Sequence, residues 1–195
     1  MNRTAKSKLQ YILMLIIMSI FVSLLIVGLY KENLIILIPI VPIIFLIPGR
    51  IQGHYYRDFF KARRFLGQKN YQSSIECSNK FLSDIKQYTW RKKLIWLSFG
   101  MYSKDIEAMA LSNLGTIYVE LGDLQLAEKY FKEAIDIDSL YPIPYFNLSI
   151  VEFIKGNKEN AENFCKQSIE LGFRKTSFDK VIQIGQQVLA NIEGK

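Results

Sequence analysis

Histidine and cysteine are nearly missing from this chain of 195 residues: His54 stands alone, and Cys77 and Cys165 are the only thiols. One imidazole is too few for most catalytic triads, and thiols without a CxxC spacing or a neighbouring histidine do not make a zinc-ligand set. The nucleophile elbow, the phosphate-binding loop, the dinucleotide-binding turn, the HExxH helix and the EF-hand are absent as well. Each cysteine lies in a stretch that reads as an amphipathic helix, so both are expected as reduced, packed thiols. The carboxylates Glu107, Glu120, Glu128, Glu133 and Asp136 fall where a helix turns a solvated face outward. No catalytic residue, metal, cofactor or small-molecule substrate is expected, and the chain is read as a non-enzyme.

Charge is missing from one long region. Between Leu9 and Tyr30 no residue is charged, and about 22 residues rising about 1.5 Å each span a hydrocarbon core of roughly 30 Å. After the polar break Lys31-Glu32-Asn33, a second apolar run extends from Leu34 to Ile47, interrupted by Pro39 and Pro42 and closed by Pro48-Gly49. Its shortness fits a proline-kinked crossing or a re-entrant dip. The basic residues favour a two-pass hairpin with both ends cytoplasmic. Arg3, Lys6 and Lys8 precede the first run and Arg50, Arg57, Lys61, Arg63 and Arg64 follow the second, whereas the turn has only Lys31 beside Glu32. A cleaved signal peptide fits less well, because the run is long for an h-region and no small-residue cleavage site follows it. The net charge of +7 thus sits largely beside apolar segments, which favours a membrane and disfavours nucleic acid as the partner.

Sliding the sequence on itself by about 34 residues aligns 108–141 with 142–175. Asn113 falls on Asn147, Leu114 on Leu148, Gly122 on Gly156, Ala127 on Ala161, Lys132 on Lys166 and Ile135 on Ile169. Such a unit reads as two antiparallel helices, A and B. Gly115 and Ser149 are small where helix B approaches helix A, and Ala127, Ala134, Ala161 and Ser168 are the small residues of helix B that meet it. Gly122-Asp123 and Gly156-Asn157 make the turns, with glycine ending helix A in the left-handed conformation and the next residue capping helix B. Upstream, Tyr55 to Leu66 and Gln72 to Ile85 read either as a degenerate third copy or as an unrelated helix pair. The tail from Ser177 to Asn191 carries a helical stripe, Phe178, Val181, Ile182, Ile184, Val188 and Leu189, suited to capping the last unit.

Between the upstream pair and the first clear copy lies Lys86 to Lys104, with the run Trp90-Arg91-Lys92-Lys93-Leu94-Ile95-Trp96-Leu97. Two readings fit it: a surface helix at lipid headgroups, or an extension of the repeat helices that buries Trp90 and Trp96. On the first reading Arg57, Lys61, Arg63, Arg64, Trp90, Arg91, Lys92, Lys93 and Trp96 form a membrane-interface set.

The run LSNLGTIYVELGDLQLAEKYFKEAIDID resembles the tetratricopeptide repeat family. Leu114-Gly115, Tyr118, Gly122, Ala127, Phe131 and Ala134 hold its signature positions, while Leu111 replaces the usual tryptophan and Ser139 the closing proline. The second copy keeps Leu148, Gly156 and Ala161 but has Glu152 in place of the signature tyrosine. The resemblance implies an α-solenoid whose A helices line a concave groove for a protein or peptide. It places Met109, Ser112, Thr116 and Val119, then Ile143, Phe146, Ile150 and Phe153, on that groove. If the tail helix or a neighbouring segment fills the groove, the same residues become core, and the sequence leaves both readings open. Of the clamp with which some family members grip chaperone tails, only Asn113 and Asn147 are present.

The expected architecture is all-α. A transmembrane helical hairpin occupies 1–50, with helices about 9–30 and 34–48. Juxtamembrane helices fill 51–107, repeats occupy 108–141 and 142–175, and a capping helix and tail follow at 176–195. The expected function is a membrane-tethered adaptor or scaffold binding a protein or peptide partner, integral to the plasma membrane of a bacterium, with both termini and the repeats cytoplasmic. The alternative is a structural subunit or assembly factor of a membrane protein complex, held through its hairpin.

Overall fold

The computed structural model describes residues 3–29, 34–98, 101–173 and 176–193. In chain order these form α1 (Arg3–Leu29), α2 (Leu34–Tyr55), α3 (Arg57–Gly67), α4 (Tyr71–Gln87), a 3-10 helix (Thr89–Leu97), α5 (Ile106–Leu121), α6 (Leu124–Ile137), α7 (Pro142–Ile154), α8 (Lys158–Glu170) and α9 (Phe178–Glu193). The described residues contain helices and no strands. The polar break Lys31-Glu32-Asn33 lies outside them.

Helices α5 to α8 are two antiparallel pairs, α5 on α6 and α7 on α8, stacked through α6 against α7. Each turn is closed in the same way. Gly122 and Gly156 take φ values of +86° and +82°. The N–H groups of Asp123 and Asn157 donate back to the carbonyls of Tyr118 and Glu152, both at 2.9 Å. This pairing satisfies carbonyls that the helix end would otherwise strand. Asp123 then caps α6 by accepting the N–H of Leu126 at 2.9 Å, but Asn157 does not cap α8 as the sequence suggests, because its amide turns back to donate to the Glu152 carboxylate at 2.9 Å. Within the first pair the helices touch closely: a Cβ added to Gly115 would stand 2.5 Å from the Phe131 ring. Ala127, Ala134, Ala161, Ser149 and Ser168 are fully buried at the helix contacts, and the Ser168 hydroxyl donates to the Pro142 carbonyl at 2.9 Å.

Helices α3 and α4 also pack as an antiparallel pair, and α4 lies against α5. Their turn has the same bonding. Asn70 N–H donates to the Phe65 carbonyl and Lys69 N–H to that of Leu66, both at 3.0 Å, and Asn70 caps α4 by accepting the Ser73 N–H. Lys69 sits where the other turns place glycine, at φ +57°. The Ser74 hydroxyl crosses to the Ala62 carbonyl at 2.7 Å, at the register where the other two pairs place Ala127 against Gly115 and Ala161 against Ser149.

One stretch of α1, Lys8–Gly28, is long and apolar enough to cross a membrane, and it is the one such stretch among the described residues. Leu9, Leu13, Ile17, Ile20, Leu24 and Val27 are exposed along it. Helix α2 departs from the sequence expectation at its end. It does not stop at Pro48-Gly49 but continues to Tyr55, because its last turns have partners of their own. The Gln52 amide donates to the Leu94 carbonyl at 2.9 Å and to the Ser98 hydroxyl at 2.6 Å, and the Tyr56 hydroxyl donates to the Arg91 carbonyl at 2.7 Å. The 3-10 helix touches α1, α2, α4 and α5, so it joins the apolar helices to the stack.

Candidate functional site, the face of α5 and α7

Helices α6 and α8 cover one side of α5 and α7. The opposite side is covered by α9, whose contacts are chiefly with α7 and next with α5, and fewer with α8. Helix α9 therefore does not stack as the first helix of another repeat would. It folds back along the A helices.

The fit is built from apolar side chains and one notch. Val188 of α9, with Ile184 and Ile192, packs on Val119, Leu148 and Val151. Val181 packs with Phe146, Ile150 and Phe153. Gly185 faces Phe153 so closely that an added Cβ would stand 2.3 Å from the ring. At the other end Phe173 closes the face, its ring 5.2 Å from that of Phe146 and 5.7 Å from that of Tyr102.

The eight groove positions expected from the sequence are accordingly divided. Val119, Phe146, Ile150 and Phe153 lie beneath α9 and its approach. Met109 and Ile143 belong instead to the cluster shared with the upstream helices, around Tyr56, Ile85 and Tyr141. Ser112 is buried and hydrogen-bonded to Tyr141, whose phenol is pushed up to about 12 by complete burial. Thr116 donates to the Ser112 carbonyl at 3.0 Å and accepts from the Asn147 amide at 3.2 Å, joining α5 to α7. One turn away, the Asn113 amide nitrogen is buried without a hydrogen-bond partner among the described residues, an uncommon state for a buried donor. Gly185 was missed at the level of sequence. A glycine inside a helix costs about 1 kcal/mol relative to alanine, so its place in an amphipathic tail was the available sign of a close contact.

The basic and aromatic set is divided too. Arg57, Lys61, Arg63, Arg64, Trp90, Lys93 and Trp96 are exposed, so the reading that buried both tryptophans in the core does not hold. A 3-10 helix leaves the indoles outside while Ile95 supplies its buried contact. Arg91 and Lys92 turn inward. Arg91 lies 3.5 Å from the Asp84 carboxylate and over the Tyr88 and Tyr55 rings. Lys92 pairs with Glu107, and that hydrogen bond raises its pKa. Cys165 is buried, which pushes its thiol up and leaves it less nucleophilic; Cys77 is half-exposed, less packed than expected.

A sequence model of the tetratricopeptide repeat matches residues 108–139. A TPR repeat-containing protein of Methanocaldococcus jannaschii is 28% identical over 131 residues, which cover 59% of this chain and 23% of that protein. The chain spans less than a quarter of that relative's length. Both matches support a tetratricopeptide repeat at α5 and α6, and the antiparallel packing of that pair agrees with it. Repeats of this family generally mediate protein–protein interaction, and nothing among the described residues points to catalysis.

Proposed function

We propose that this chain is a membrane-tethered adaptor: α1 and α2 form the anchor hairpin, and the helix pairs from α3 to α8, with α3 and α4 as a degenerate repeat, hold a protein partner at the membrane surface. The observation that carries this reading is the apolar exposure of α1. A row of uncovered Leu, Ile and Val along about five turns is far more than a soluble surface tolerates and suits lipid. Confinement to that surface raises the effective concentration of any partner confined there with it.

The partner segment is an amphipathic helix. The face of α5 and α7 already holds one, α9, and a competing helix would take the same apolar contacts and find the Asn113 donor beside them. Extraction of membranes with alkaline carbonate tests the tether: the full chain stays in the pellet, and deletion of 9–28 releases it. A full chain recovered in the supernatant would end the membrane reading. Partner capture by cross-linking tests the groove. Gly185→Val, which forces α9 off Phe153, increases capture, whereas Phe153→Asp abolishes it; one partner set at equal yield for all three proteins excludes the groove.

The filled groove also favours a second reading, in which the chain is a structural subunit or assembly factor held through α1 and α2. Exchanging 9–47 for an unrelated hairpin separates the two, because an adaptor keeps its partner and an integral subunit loses it.

A further inference from the structure

Beside Trp96 the molecule has two hollows that meet. One, of about 590 Å³, lies between α1, α2 and the 3-10 helix and is walled by apolar side chains, among them Leu13, Met14, Ile17, Ile47 and Pro48. The other, of about 510 Å³, lies toward the repeats and is bordered by Lys92, Lys93 and Lys104. Gln10 and Trp96 border both. The boundary between apolar and basic walls therefore falls at an exposed indole and an amide, where a membrane changes from hydrocarbon to headgroups.

The cations of the second hollow are not equivalent. Lys92 is taken by Glu107, and the Asp105 carboxylate accepts the Glu107 N–H at 2.8 Å. Lys93 and Lys104 are exposed, and among the described residues neither has a carboxylate within ion-pair distance. Two uncommitted ammonium groups next to an apolar cleft are complementary to one kind of molecule, an anion with a hydrocarbon tail. We propose that this paired hollow binds an anionic phospholipid of the membrane, its acyl chain between α1 and α2 and its phosphate on Lys93 and Lys104. The proposal rests on the membrane reading above. It goes beyond that reading by assigning a lipid class and two residues.

The test uses the full chain with Trp90→Phe, which leaves Trp96 as its one tryptophan. The protein is placed in phosphatidylcholine vesicles that carry a small fraction of brominated phosphatidylglycerol or, in parallel, brominated phosphatidylcholine. Bromine on the acyl chain quenches an indole it touches. Phosphatidylglycerol is expected to reach half-quenching at a roughly 25-fold lower mole fraction, from roughly fivefold per lysine. Lys93→Gln/Lys104→Gln removes this preference, while Lys61→Gln/Arg64→Gln on α3 leaves it unchanged. Equal quenching by both lipids overturns the site and leaves the anchor standing, as does equal loss of preference in both double variants, which marks general surface attraction. No quenching by either lipid overturns the site and the membrane reading together.

Discussion

Helices α6 and α9 lie on opposite sides of the same A helices, and each meets its partner through a phenylalanine in a glycine notch: Phe131 on Gly115 for α6, Phe153 on Gly185 for α9. What differs is how they are held. A turn of two residues, Gly122-Asp123, with a left-handed glycine and an aspartate cap, joins α5 to α6, so α6 cannot leave without unfolding its repeat. Among the described residues, helix α9 meets the A helices through apolar side chains, with no side-chain hydrogen bond or ion pair between them. Similar local contacts therefore make one helix obligatory and the other separable.

The largest expected effect breaks the obligatory side. Gly115→Val should cost about 3 kcal/mol or more of global stability, since overpacking penalties run to about 3 kcal/mol and the Phe131 ring has no second place to go; urea unfolding measures it. Next comes alkaline pH. Free tyrosine ionises near 10 and buried Tyr141 near 12, so between those values the folded chain holds a proton that the unfolded chain has lost. Stability is unaffected by this group below pH 10 and falls by about 2–3 kcal/mol as pH rises to about 12. Tyr141→Phe removes that part of the slope. The α9 contacts are apolar, so its release should show no such step, and hydrogen exchange at high pH distinguishes the two sides.

Gly185→Val should be smaller in global terms although its added carbon stands closer to a ring, because its cost is capped at the docking energy of α9. Faster amide exchange confined to 178–193 is the expected result; loss of protection throughout α5 to α8 would show that α9 is as obligatory as α6. The smallest effect is a gain. Lys69→Gly should raise the thermal midpoint by a few degrees, about 0.5–1 kcal/mol, by relieving a side chain from a left-handed position. The same change at Asn70, whose side chain caps α4, should lower it.

The α5 and α6 repeat was legible because its function in packing is written in residue size: Gly115, Ala127 and Ala134 recur at positions where nothing larger fits, and Gly122 where only positive φ serves. A turn at Asn70-Tyr71 was legible upstream, and α4 does start at Tyr71 with Asn70 as its cap, but the left-handed residue before it was not, since lysine at position 69 gives no sign of its conformation and the bonding is visible only in three dimensions. The tail showed that α9 has an apolar stripe but not which surface the stripe covers; a stripe fixes a face, not a partner. The alternating basic and aromatic residues of 90–97 fitted both inward and outward readings for the same reason. There the backbone settled the matter, with Gln52 and Tyr56 of the preceding segment fastening the carbonyls of Leu94 and Arg91.

That fastening has a mechanical meaning. Helix α2 passes into α3 at Tyr56 with no intervening loop, the Tyr56 N–H donating to the Gln52 carbonyl and its own carbonyl accepting the Phe60 N–H, while the phenol is pinned to the 3-10 helix. On the membrane reading proposed above, such a connection is a strut, not a leash: it would hold the repeat stack at one height and one bearing relative to the bilayer, and any tilt of α2 would swing the whole stack with it.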